Sequence, residues 1–180
     1  MKIKTILLLF LFLNFYFSCT IKERFGPELP LPTNTGAGIM ACKVNGQIWY
    51  TDGSTLFDGA NVQADLVSNT LKLKGIKYNY DQSGYNNTSS WDRIYIVVNS
   101  VNNTGTFQIA GNNHGTYEKS GNTNNYVIYK TDSTYSGGYI NITTFDSMKK
   151  ILSGNFQFKA KNSNGNDEVL ITEGQFDIKY

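Results

Sequence analysis

The chain is poor in the groups that most often carry chemistry. Its 180 residues include one histidine, His114, and two cysteines, Cys19 and Cys42. One imidazole and no Cys-x-x-Cys pair exclude a histidine-rich or thiolate zinc site, and so few thiols exclude a disulfide scaffold. Long apolar runs are also missing. The longest, Ile6 to Phe17, is interrupted only by Asn14 and as a helix would cover roughly 18 Å, short of the about 30 Å of hydrocarbon a spanning segment must cross. Proline is confined to Pro27, Pro30 and Pro32, ahead of the first expected strand, so no ladder downstream loses a donor to it.

Charge of one sign is lacking as well. The chain opens on Met1-Lys2-Ile3-Lys4, and a short basic start before a short apolar run has the form of an export signal. Losing residues 1–18 of 180 leaves 162 residues. It also takes Lys2 and Lys4 from the 16 basic residues, leaving 14 against 14 acidic, so the formal +2 falls to zero. No basic patch remains to suggest a nucleic-acid partner.

Ser18-Cys19 closes the apolar run. No A-x-A-like cleavage site is present, and the small residue before cysteine resembles the lipobox of bacterial lipoproteins, in which the cysteine is acylated and becomes the new N-terminus. Tyr16 and Phe17 are bulkier than the usual pattern; the alternative is an ordinary secretory signal with an incidental cysteine. Each buried CH₂ contributes about 0.8 kcal/mol and stable anchoring takes more than one chain, which the two or three acyl groups (palmitate among them) on Cys19 would supply. Residues 19–37 then form the lipidated cysteine and a Pro-rich tether reaching roughly 50 Å. The expected location is the cell envelope, most simply the outer membrane.

What the chain has in abundance is aromatic and turn-forming residues: 12 Tyr, 11 Phe and 17 Gly. From residue 38 to 180 the pattern is β. Asn45-Gly46 separates two apolar runs, a strong hairpin signal. Val62, Ala64 and Leu66, then Leu71 and Leu73, alternate around Ser68-Asn69, and "RIYIVV" and "GTFQIAG" read as further strands. Two more lie either side of Gly137-Gly138. In the last strands Phe156, Phe158 and Ala160 alternate with Gln157 and Lys159, and Phe176, Ile178 and Tyr180 with Asp177 and Lys179. Period two with one apolar face means half-buried antiparallel strands. "TTFDSMKKIL" allows a helical turn or two at most. The expectation is an all-β domain, an antiparallel sandwich or open barrel of about nine strands.

"LPLPTNTGAGIMACKVNGQIW" and "ILSGNFQFKAKNSNGNDEVLITEGQFDIKY" resemble a group of small Bacteroidetes lipoproteins known only as a domain of unknown function. The K-V-N-G hairpin and the I-T-x-G-x-F-D ending carry the likeness, which implies a lipoprotein signal and an all-β domain and assigns no chemistry. Asp146-Ser147-Met148 and Asp132-Ser133-Thr134 also resemble the Asp-Ser/Thr acceptor for O-glycosylation in that group.

Candidate chemistry is thin. His114, in "GNNHGTY", reads as a solvated loop residue. Cys42, alternating with Met40 and Val44, reads as a small core residue. Asp52, Asp58, Asp92 and Asp167-Glu168 are the carboxylates that could pair for hydrolysis, and all stand in turn-like contexts. "DGSTLFDG" and "NSNGNDE" hold oxygen ligands but not in the spaced twelve-residue calcium loop. No cofactor is expected. Trp91, with Tyr78, Tyr80 and Tyr85 around the polar loop "YDQSGYNNTSSWD", is the expected binding patch, since aromatic faces beside amides suit sugars and peptides; Trp49 is expected in the core. The expectation is a non-enzymatic binding domain for a glycan, peptide or partner protein. The alternatives are a structural subunit of an envelope complex and a carboxylate-dependent hydrolase.

Overall fold

The computed structural model describes residues 28–51, 61–79, 90–120, 126–132, 138–162, 164 and 167–180. Cys19, Asp52, Asp58, Tyr80 and Tyr85 lie outside the described residues, as do the signal segment and residues 19–27 of the expected tether.

Among the described residues eleven strands are formed: β1 (Ile39–Val44), β2 (Gln47–Tyr50), β3 (Val62–Val67), β4 (Thr70–Asn79), β5 (Ser90–Val98), β6 (Gly105–Gln108), β7 (His114–Ser120), β8 (Tyr126–Lys130), β9 (Tyr139–Asp146), β10 (Ile151–Asn162) and β11 (Glu168–Lys179). They build one antiparallel sheet ordered β2-β1-β11-β10-β8-β7-β5-β4-β3, curled into a half-barrel. The sheet forks at β10. Its first half pairs with β9, which pairs with β6, while Lys161 and Asn162 at its far end pair with β8. The strands flanking Gly138 are therefore not each other's partners; β8 and β9 both lie along β10. β7 is the strand that the polar run "NNHGTYEKS" conceals. The segment after β9 is a turn, with Asp146 Oδ1 accepting from the Met148 and Lys149 amides at 3.0 and 2.8 Å, rather than helix.

Local chemistry explains the hairpins. Asn45 and Gly46 have φ of 49° and 81°, and Ser68 and Asn69 have 50° and 61°, so both turns carry the left-handed pair that matches strand twist. Register follows burial. Met40, Cys42, Leu71, Leu73, Ile94, Ile96, Phe156, Phe158, Ile171 and Phe176 line the concave face as one core, each fully buried large side chain contributing about 2 kcal/mol. A shift in the β10–β11 ladder between Phe156 and Phe158, with Glu173 at φ 51°, marks a bulge that adds local twist. Lys43 Nζ reaches the Glu173 carboxylate at 2.7 Å.

Closure needs a close approach. A Cβ on Gly75 would stand 2.6 Å from Met40 Sδ and 3.0 Å from Trp49 Cη2, so β4 can fold over the β1–β2 hairpin only where a side chain is missing.

The convex side of β11 holds one buried carboxylate. Alternation places Asp177 away from the core, yet it is only 2 % exposed because residues 33–37 cover it. Its oxygens accept from Thr33 Oγ1 at 2.6 Å, from the Thr35, Gly36 and Ala37 amides at 2.9, 2.8 and 3.1 Å, and from Ser153 Oγ at 2.7 Å. The Gln175 amide donates to the Pro30 carbonyl. Burial alone would raise the Asp177 pKa, but the hydroxyl and amide donors outweigh it and hold the carboxyl at about 2, below its ordinary 3.8.

Two predictions follow from these contacts. Because the folded pKa lies below the unfolded one, the carboxylate's contribution is complete above pH 3.8 and lost as pH falls through about 2; the difference is on the order of 2 kcal/mol. Urea denaturation of Asp177→Asn should show lower stability at neutral pH and a flatter profile between those pH values, with faster amide exchange at Thr35, Gly36 and Ala37. Gly75→Val should cost about 1–3 kcal/mol by overpacking; a variant as stable as the parent in the same assay would show that β4 does not need this contact.

Candidate functional site

The concave face does not stay apolar to its end. Residues opposite each other across a ladder share a face, and the registers stack that face in rows. Leu73, Ile96 and Gly115 form one row, with the Phe158 ring 3.0 Å from the position of a Cβ on Gly115. Next come Gly75, Ile94, Tyr117 and Tyr129. The last is charged: Lys77, Asp92 and Lys119, side by side on β4, β5 and β7. Val44, Trp49 and Val169 complete the wall of a cavity of about 360 Å³ at this mouth, with Glu168 at its rim. That size falls at the lower end of small-molecule pockets.

Two polar groups in the wall are buried without partners: Trp49 Nε1, on a side chain 2 % exposed, and Asp92 Oδ1, on one 9 % exposed. Leaving such groups unpaired costs about 1–3 kcal/mol each. Asp92 is also hydrogen-bonded to the Tyr117 hydroxyl; burial first, then this carboxylate, push the Tyr117 pKa well above its ordinary range. The Tyr117 and Tyr129 rings lie 6.0 Å apart. Lys77 Nζ sits 5.6 Å from the centre of the Tyr50 ring.

A second cavity, about 300 Å³, lies beneath residues 31–33 against β10 and β11. Its one buried carboxylate, Asp177, is already fully engaged by the covering segment, so it is the less suited to a ligand.

The residues singled out from sequence divide between faces. Tyr78 and Trp91 are brought together as a cross-strand pair on the outer face of β4 and β5, both half-buried. The Arg93 guanidinium lies 5.1 Å from the Trp91 ring centre and bonds Glu118. Trp49 is in the core, as expected, and also lines the mouth. Lys77, Lys119, Tyr117 and Tyr129 were not legible as site residues. The available signal was the apolar alternation Leu71, Leu73, Gly75, which continues onto Lys77.

Among the described residues the catalytic candidates do not assemble into an acid–base or nucleophilic unit. Asp92 and Glu168 line one cavity, but Glu168 is held by Lys159 at 2.5 Å. Cys42 is fully buried, and burial pushes its thiol pKa far up. His114 is half-buried at the start of β7 rather than in a loop, 6.5 Å from the Tyr95 ring. Burial and then Lys130 lower its pKa. Asn162 Oδ1 accepts from the Asn164 amide at 2.9 Å, as in an ordinary turn. Among the described residues no three His, Cys, Asp or Glu side chains converge on a metal position, and no helix is long and apolar enough to cross a membrane.

Thiol burial gives a direct test. In a Cys19→Ala chain, Cys42 should resist a thiol-reactive dye in buffer and react fully in denaturant; rapid labelling of the native chain would contradict its placement in the core.

No curated protein and no solved structure matches the chain. A family model matches residues 43–177, from the end of β1 to Asp177 in β11, and the chain thereby belongs to the family described as Domain of unknown function (DUF6252).

Proposed function

We propose that the chain is a non-enzymatic binding domain of the cell envelope, moored to a membrane through acylated Cys19, that takes a glycan, peptide or partner protein at the mouth of its half-barrel. The observation that carries this is the pair of buried, unpartnered groups, Trp49 Nε1 and Asp92 Oδ1, in a cavity walled by Tyr117 and Tyr129. A donor and an acceptor left unpartnered in the wall of one aromatic cavity suit an occupant that completes both.

Binding is favoured over catalysis by how the reactive groups are used. Glu168 is tied to Lys159, and Cys42 is sealed in the core. The pinning of residues 33–37 by Asp177 supports a tether that ends near Pro32, so the segment from Thr20 would hold the domain within roughly 40 Å of the outer membrane. A structural role in an envelope complex draws support from β8, where Tyr126, Val127 and Ile128 are exposed in sequence, an apolar strip suited to a protein neighbour.

Both halves of the proposal are testable on the full-length chain. Wild type should incorporate a palmitate label and pellet with membranes, and Cys19→Ala should lose both; a soluble, unlabelled wild type would remove the anchor. On glycan and peptide arrays the detergent-solubilised chain should bind, and Asp92→Ala should weaken binding at least about tenfold. Binding unaffected by that change would move the site away from the mouth.

A further inference from the structure

The charged row at the mouth narrows the class of ligand. Lys77 and Lys119 stand on either side of Asp92, as its direct cross-strand neighbours on β4 and β7. Both lysines line the cavity, and side chains directly across a ladder have Cβ atoms about 5 Å apart. Of the four charged residues lining the cavity, Glu168 is satisfied by Lys159. Two lysines then line the mouth with one carboxylate, so it carries a surplus positive charge and favours a net anion.

A bare anion does not complete the site. Asp92 Oδ1 lacks a donor and would repel a phosphate or sulfate that brings only acceptors, whereas Trp49 Nε1 is a donor in need of an acceptor. A hydroxyl supplies both functions, and several on one ring can serve both groups at once. The half-buried Tyr129 ring, beside Tyr117 in the cavity wall, offers an apolar face for the C–H surface of a sugar ring. A zwitterion such as an amino acid would fill the donor and acceptor roles but brings no net negative charge to a net positive cavity.

We infer that the mouth binds an acidic sugar, a hexuronic acid unit whose carboxylate lies between Lys77 and Lys119 and whose hydroxyls pair with Asp92 and Trp49. This rests on the proposal that the mouth is the binding site, and it adds the ligand's charge and chemistry.

The test is an NMR titration of the full-length chain in detergent with three probes: glucuronate, its neutral methyl ester and glucose. Glucuronate should bind at least about tenfold more tightly than either neutral probe, and that preference should shrink as salt is raised. Lys77→Met and Lys119→Met should each erase most of the preference for the acid over its ester and over glucose. Asp92→Asn should weaken all three. Equal affinity for the acid and its ester would overturn the acidic-sugar assignment and leave a sugar-binding mouth standing. A preference that survives both lysine changes would place the anion elsewhere and also overturn it. Failure of all three probes while the arrays return a ligand sensitive to Asp92→Ala would overturn this inference alone; failure of probes and arrays together would take the binding-site reading with it.

Discussion

A sheet with one apolar face must close that face against something, and this chain has no layer of helix or second sheet among its described residues to offer. The solution is curvature. The concave faces of β1, β4, β5, β10 and β11 meet one another across a single core, and the closest approach, β4 over the β1–β2 hairpin, is permitted by the missing side chain of Gly75. Bulges at Glu173 and in the β9–β10 ladder add twist where the long strands bend. The position of Trp49, the depth of the core and the existence of an open mouth all descend from that closure.

Curling has a consequence at the ends. A half-barrel's interior is fillable by apolar side chains along its middle rows, but the last row meets water and must carry polar groups. Here that row consists of Lys77, Asp92 and Lys119, backed by tyrosines and one indole. Its polar groups are not paired off within the protein in the way those of Asp177 are. The two carboxylates therefore make a contrast within one molecule. Asp177 receives three backbone amides and three hydroxyls and is spent on structure, while Asp92 has one buried oxygen without a partner beside a cavity.

Much of the fold was legible beforehand, because the signals concerned are local. Asn45-Gly46 and Ser68-Asn69 specify left-handed turns through residue chemistry alone, and the alternation around Phe156 and Phe176 states which side of each strand is buried. β7 escaped notice because "NNHGTYEKS" is polar on both sides of its period: its inward positions are Gly115, Tyr117 and Lys119, only one of which is large and apolar enough to signal a core. Eleven strands in place of about nine, and the fork at β10 that separates β8 from β9, followed from pairings between residues far apart in the chain. Of the aromatic patch expected at Trp91, Tyr85, Tyr80 and Tyr78, the described members Tyr78 and Trp91 form a cross-strand pair on the convex face.

By itself the sequence determined the all-β class, the turn positions, the burial of Cys42 and Trp49, and the scarcity of imidazole and thiol that narrows the chemistry, since each depends on residue type and near neighbours. Only the tertiary structure decided that Asp177 is covered, that Lys77, Asp92 and Lys119 stand in one row, and that Trp49 borders a cavity. Those facts depend on register between strands dozens of residues apart. A ladder brings such strands into contact through backbone hydrogen bonds that are the same for every side chain, so the chain's own order of residues carries no direct mark of them.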